Sequence, residues 1–297
     1  MSTAPQSVLS ASDNASKMTA GQQPNDRLKG LAIVLGAVLI YSVLHVGFRL
    51  LASPVLGEDD VVEAVFAQQF QIAYDFFPRQ PPLYNWVLYG VQQFAGLGVE
   101  GFLLIKYAAL TATAVLLYLA SYRAFNDRLF AVLSVESLAL IYQIAWRYHE
   151  GFTHEVLAMV MVMATVCVAF SIIHGPGLWK WVFLGVAIGL GLLTEPTYYV
   201  FVICLFIAVG LQPAARRAVF QRGLILSGLI ALVVASPYLF WLLEDGRRLA
   251  AWWALFDPSA IGSIENTWAA LRGPVAYLSP LIVILPLVFP GYLQTVW

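Results

Sequence analysis

The sequence predicts an all-α polytopic membrane protein with about eight transmembrane helices, and three observations carry that prediction. Of 297 residues, 60% are AVILMFWYC and only 11% are Asp, Glu, Lys or Arg, against roughly 25% charged in an ordinary soluble domain. The mean hydropathy is +0.77. The apolar residues fall in long runs, and about 20 residues at roughly 1.5 Å each cross a hydrocarbon core of about 30 Å. A globule of this size cannot hide so much apolar side chain from water, which excludes a soluble enzyme. The net charge of −1 and the lack of a long basic block give nucleic-acid binding no support. Cys167 and Cys204 lie deep in apolar runs, so neither a disulfide framework nor a cysteine zinc site is expected.

Residues 1–29 form a cytoplasmic tail; 1–26 are rich in Ser, Ala, Gln, Asn and Asp without apolar period, the composition of a disordered segment. The first span covers 30–51. It is too long for a secretory signal core, and no A-x-A site ends it, so it is read as uncleaved. Further spans are expected at 101–122, 128–146, 154–173, 178–194, 197–212, 222–243 and 274–293. The short pair 178–194 and 197–212 is parted by Glu195–Pro196, where proline ends helical hydrogen bonding and predicts a tight hairpin. Segment 82–98 is aromatic and apolar but interrupted by Asn85, Gln92 and Gln93, which suits a helix lying in the interface rather than a span. Residues 30–297 then form one transmembrane domain with a first outer loop at 52–100.

Charge sets the orientation. One set of loops holds Lys17, Arg27, Lys29, Arg123, Arg128, Lys180, Arg216, Arg217 and Arg222, opposed only by Asp13, Asp26 and Asp127. The other set gathers most of the acids, among them Glu58, Asp59, Asp60, Glu63, Glu150, Glu155, Glu195 and Glu244. The positive-inside rule puts the first set, and the N-terminus, in the cytoplasm of an inner (plasma) membrane, and the acidic face outside, in the periplasm of a Gram-negative cell.

Two outer loops stand out by length, 52–100 and 244–273. The first carries adjacent carboxylates at Glu58, Asp59 and Asp60. An ionised carboxylate there can take a proton from an attacking hydroxyl, as a general base does. The same acids also suit the positive N-terminus of a helix beginning near Val61. Further on, Arg79 stands before Gln80-Pro81-Pro82-Leu83, either as a ligand for phosphate or carboxylate or as a snorkelling arginine beside a rigid turn.

This order of motifs resembles the GT-C fold of membrane glycosyltransferases, in the branch of families 39 and 83 that holds the aminoarabinose transferase of lipid A and the protein mannosyltransferases. There the first outer loop carries D-E-A-x-Y-x-x-W-A-Q and then H-P-P-L. Here the first motif falls on Asp59, Asp60, Val61, Val62, Glu63, Ala64, Val65, Phe66, Ala67 and Gln68, and the second on Gln80-Pro81-Pro82-Leu83. The family's arginine before the second span falls on Lys106. Its later acidic motif falls on Thr153-His154-Glu155, and its G-L-x-x-L-S-K-Y run on residues 189–196, with Glu195 at the lysine position. The departures are Glu63 for tyrosine, Phe66 for tryptophan, Gln80 for histidine and Glu195 for lysine. Members usually continue with more spans and an outer soluble domain; this sequence ends at Trp297, just after an apolar run.

The resemblance implies a polyprenyl-phosphate sugar donor in the bilayer and a lipid, oligosaccharide or protein acceptor. The acceptor hydroxyl attacks the anomeric carbon with inversion, outside the cytoplasm. Asp59 is expected as the base, and Asp60 orients it or touches the acceptor. Glu63, Gln80, Glu155 and Glu195 are expected at the substrates. Lys106, Arg79, Arg147, Arg247 and Arg248, helped by His149 and His154, are expected to hold the phosphate, because neutralising charge on a departing group lowers its barrier. No cofactor is expected and no metal is assigned, since His149, Glu150, His154 and Glu155 match no helical zinc spacing.

Other features stay open. Glu136 sits mid-span, where an ionisable group is functional by default or hydrogen-bonded within the bundle. Trp241, Trp252 and Trp253 suit an interfacial belt or a sugar-stacking face. Gly185, Gly189 and Gly191 favour close helix packing. A transporter or flippase of an amphiphile would place charges at the midplane, and a non-catalytic membrane subunit is the third reading.

Overall fold

A computed structural model describes residues 6–53, 55–57, 59–149, 151, 153–254 and 264–288 of the chain. Glu58, Glu150 and residues 255–263 of the second long loop lie outside the described residues. All regular structure among the described residues is helical.

Helix α1 (Gln6–Ala52) contains the first span, whose apolar part is Asn25–Ala52. Its backbone is helical back to Gln6, through residues whose composition predicts disorder. Propagating a helix already nucleated by an apolar span needs no new nucleus, which polar Ala-, Ser- and Gln-rich sequence follows readily. Two short helices fill the first loop, α2 (Asp59–Phe66) and α3 (Leu83–Ala95). Then come α4 (Val99–Phe125), α5 (Arg128–Glu136), α6 (Tyr142–Ala145), α7 (His154–Ile173), α8 (Leu178–Leu192), α9 (Thr197–Leu211), α10 (Pro213–Val219), α11 (Arg222–Glu244), α12 (Gly246–Trp253) and α13 (Ile264–Val288).

Among the described residues four helices are long and apolar enough to cross a membrane: Asn25–Ala52, α4, α7 and α11. The count reaches six among the described residues if each of two bent pairs is one span, against about eight expected over the whole chain. The bends have local causes. Ile141 is extended between α5 and α6, in a pair bent by 75° from Arg128–Leu140 to Tyr142–His149. Gln212 is extended because Pro213 follows it, and α9 turns by 116° into α10. Helix α8 has 15 residues, about 22 Å at ~1.5 Å per residue, short of a ~30 Å core. Helix α13 is not among the candidate spans; residues 289–293 of the expected last span lie outside the described residues. Helix α3, with 13 residues, is no span either. Glu136 closes α5, five residues before the extended Ile141, with an exposed side chain beside a groove between α1, α4 and α5 and no hydrogen bond among the described residues.

Packing brings one end of each core helix together. Tyr118 of α4 donates to the Arg27 carbonyl of α1 at 2.8 Å, far from α1's C-terminus, so α1 and α4 run in opposite directions. Val99, Leu103 and Tyr107 of α4 share a core with Val156 and Val160 of α7. The C-terminus of α1 and the N-termini of α4 and α7 therefore meet at one end. Helices α8 and α11 run in parallel, their backbones drawn close by glycine. A Cβ on Gly185 would lie 2.6 Å from the Ser227 carbonyl oxygen, and one on Gly189 would lie 2.9 Å from that of Ala231. Ser227 seals the contact by donating to the Trp181 carbonyl at 2.7 Å. The loop before α3 is stitched onto the same end: the Leu83 amide donates to the Leu193 carbonyl at 2.9 Å, and Tyr238 of α11 donates to the Pro78 carbonyl at 2.8 Å.

Gly185→Leu should lower the thermal unfolding midpoint in detergent by the equivalent of about 1–3 kcal/mol of overpacking. Gly36→Leu, where nothing lies within 4 Å, should leave it unchanged; equal effects at both positions would contradict the packing described.

Candidate active site

At that end of the bundle lies a cavity of about 220 Å³ lined by Asp59, Val62, Glu63, Phe66, Tyr74, Phe77, Gln80, Asn85, Thr153, His154 and Glu155. The first-loop helix and the start of α7 thus face one space. Asp59, Val62, Glu63 and Phe66 have the i, i+3, i+4, i+7 spacing of one helical face, and α2 turns that face to the cavity. Asp59 is exposed there, in the first turn of α2, where the helix dipole favours a carboxylate.

Beneath Asp59 the polar groups are spent on one another. The Glu63 carboxylate accepts from the Asn85 side-chain amide of α3. Its other oxygen lies 3.0 Å from Nε2 of His154. The opposite ring nitrogen, Nδ1, faces the Thr194 carbonyl at 3.3 Å. Glu63, Asn85 and His154 are all buried. Beside Thr194, Glu195 stands in the turn between α8 and α9. Burial pushes its carboxyl up, against the Thr197 hydrogen bond and the field of His154, which pull it down.

The structure places several of the expected site residues away from this cavity. Asp60 is 3% exposed and absent from the cavity wall, because adjacent residues on a helix point about 100° apart. It faces the protein interior, where burial pushes its carboxyl up to about 6 against the pull of Lys106 and Arg49. Its Oδ1 has no hydrogen-bond partner among the described residues, nor has the buried Tyr84 hydroxyl. Lys106 is 3% exposed within α4 and lies behind α2 rather than in the cavity. His149 sits apart from the cavity, 2.6 Å from the Tyr41 hydroxyl and 3.0 Å from that of Tyr107. Arg147 does not line the cavity either.

Arg79, Arg247 and Arg248 gather instead in a second, larger cavity of about 760 Å³ with Asp75, Phe76, Phe77, Pro78, Asp245 and Ala251. Phe77 belongs to both. Trp241 lies under Arg248, with the guanidinium carbon 4.2 Å from the ring centre, so it serves as a platform for that cation. Sequence reasoning missed Tyr74, Phe77 and Asn85. The Asn85 signal was present, as a polar residue breaking an apolar helix. Among the described residues no group of three or more His, Cys, Asp or Glu side chains could hold a metal ion.

Comparison with known proteins identifies the family. The family described as dolichyl-phosphate-mannose-protein mannosyltransferase matches residues 79–241, more than half of the chain. The lipopolysaccharide core galacturonosyltransferase RgtB of Rhizobium johnstonii is 27% identical over 217 residues, covering 73% of this chain and 43% of that protein. The lipopolysaccharide core galacturonosyltransferase RgtA of the same organism is 23% identical over 215 residues, covering 72% and 42%. The chain spans less than half the length of these curated relatives. No solved structure matches it significantly.

The raised Asp60 sets a pH dependence. The folded state binds this proton more tightly than the unfolded state, so the stability that Asp60 contributes is fully present below the unfolded value of 3.8 and is lost as pH rises through about 6. Relative to Asp60→Asn, the wild-type unfolding free energy should fall by about 3 kcal/mol between about pH 4 and pH 8, at ~1.4 kcal/mol per unit. Parallel pH profiles for the two proteins would contradict the buried, unpaired Asp60.

Proposed function

The chain belongs to the dolichyl-phosphate-mannose-protein mannosyltransferase family, and from that premise we propose that it is an inverting glycosyltransferase using a polyprenyl-phosphate-linked sugar. The acceptor is an envelope glycan or lipid, and the reaction runs at the outer face of the inner membrane. The observation that carries this reading is the placement of Asp59: an exposed carboxylate on the cavity face of α2, held over the buried Glu63–His154–Asn85 cluster. The resemblance of the first-loop motif and the charge bias of the loops support the donor class and the orientation.

In this reading the acceptor hydroxyl attacks the anomeric carbon from the side facing Asp59. The bond between that carbon and the phosphate oxygen breaks, polyprenyl phosphate departs, and the hydroxyl proton passes to the Asp59 carboxylate. Attack opposite the leaving group inverts the anomeric centre. Glu155 and Gln80 on the wall accept from or donate to the sugar hydroxyls and fix its orientation, and a cavity of about 220 Å³ suits a single sugar residue. Asp60 and Lys106 act from behind α2, on the helix that carries Asp59, rather than on the substrate.

The test is mass spectrometry of envelope glycolipids and glycans from cells lacking the gene, restored with wild type or with Asp59→Asn. Wild type should restore a sugar-mass difference that Asp59→Asn fails to restore, because removing a general base lowers the rate by about 10²–10⁴-fold. Equal restoration by both would remove Asp59 as the base and favour a transporter or a non-catalytic subunit.

A further inference from the structure

The two neighbouring cavities differ in size and in charge. The smaller is walled by Asp59, Glu63 and Glu155, with His154 its one basic lining residue. The larger holds three arginines and two aspartates. Two of those arginines are already paired. Asp245 accepts from the Arg247 backbone amide at 2.8 Å and from its Nη2 at 2.9 Å. Asp75 accepts from Arg248 Nε at 2.6 Å, and the Trp241 carbonyl accepts from Arg248 Nη1 at 2.8 Å. Arg248 Nη1 also lies 3.6 Å from the Glu244 carboxylate, so the guanidinium is held by three polar groups and by its stacking on Trp241, while its Nη2 has no hydrogen-bond partner among the described residues. Arg79 is exposed and has no carboxylate partner among the described residues. Arg247 is thus matched by Asp245, and Arg248 by Asp75 and Glu244, which leaves Arg79 as the cation facing a ligand, one residue from Gln80 in the wall of the smaller cavity.

We propose that the larger cavity binds the acceptor, and that the acceptor is an oligosaccharide bearing a carboxylate or phosphate group held by Arg79 and Arg248. This rests on the glycosyl-transfer reading for its purpose, and three features of the cavity carry it. Its volume of about 760 Å³ exceeds the needs of a single phosphate and lies within the usual ~300–1,000 Å³ range of ligand sites. The Arg248 guanidinium, already held by other groups, offers Nη2 to an anion at little further ordering cost, and Arg79 offers a fork that pairs with it through two parallel hydrogen bonds. Phe76 and Phe77 supply apolar faces against which sugar rings pack. Phe77 is shared with the smaller cavity, so a chain of sugars seated here ends with a hydroxyl beside Asp59.

The source of the anion decides the test, because a donor phosphate would satisfy the same arginines. Binding to the purified full chain in detergent is measured for three probes. These are the de-O-acylated lipopolysaccharide oligosaccharide of the source cell, the same oligosaccharide after dephosphorylation and carboxyl reduction, and undecaprenyl phosphate. Arg79→Gln should raise the Kd of the anionic oligosaccharide about tenfold or more, the usual effect of losing one charge-assisted contact. Arg79→Lys should recover part of that loss. The neutralised oligosaccharide should bind weakly to both proteins, and undecaprenyl phosphate should bind them equally.

If Arg79→Gln weakens undecaprenyl phosphate instead, the cavity is a donor site and the proposal fails. If the anionic and neutralised oligosaccharides bind alike, it also fails. Because binding is read directly, oligosaccharide capture without sugar transfer would sink the enzymatic reading and leave this site standing. Sugar transfer indifferent to Arg79 would do the reverse.

Discussion

The contact between Glu63 and His154 is what makes a site out of separate chain segments. Glu63 belongs to the first loop, His154 to the start of α7, Asn85 to α3 and Thr194 to the turn before α9. A buried carboxylate costs several kcal/mol unless its oxygens are satisfied. Here Asn85 and His154 each serve one of them. Each donor in turn is held by the element that carries it, so loop, interfacial helix and bundle constrain one another. Asp59, one helical turn before Glu63 on the same face, owes its position to that arrangement. Removing one member would leave the others buried and unpaired, which is costlier than the contact itself is favourable.

Much of the fold was legible because apolar length is a strong signal. The spans at 101–122, 154–173 and 222–243 correspond to α4, α7 and α11, and the Glu195–Pro196 break falls between α8 and α9. The interfacial reading of 82–98 rested on Asn85, Gln92 and Gln93, and α3 is a short helix packed on the bundle end. The span count was not legible. Hydropathy reads 128–146 as a single straight run, whereas an extended Ile141 bends the chain there, and it reads 197–212 as a span of its own, whereas α9 ends at Leu211 after 15 residues and the chain then turns at the extended residue before Pro213. The count depends on backbone angles at single residues, and composition does not report them.

The site was half legible. Asp59, Glu63, Gln80, His154 and Glu155 share one cavity, and their grouping follows from motif order along the chain. Asp60 and Lys106 looked equivalent to their neighbours in sequence but point into the core. Spacing to Glu63 does not separate them, since Asp59 is four and Asp60 three residues before it, and only the packing of α2 decides which one turns inward. The division of the arginines was not legible at all, because Arg79 and Arg247–Arg248 are separated by most of the chain and meet only through folding. Asp75 and Trp241 fix Arg248, and nothing in their sequence neighbourhoods pairs either with it: Trp241 reads as a belt or stacking residue and Asp75 as one acid among many.

The account depends on coupling between the first loop and α7. The direct measurement is a double-mutant cycle on unfolding free energy in mixed micelles, with Glu63→Ala, His154→Ala and the pair. A buried hydrogen bond to a carboxylate predicts a coupling of about 1.5–3 kcal/mol. Additivity within about 0.5 kcal/mol would mean the two side chains do not hold the loop to the bundle, and the cavity built on them would have no support.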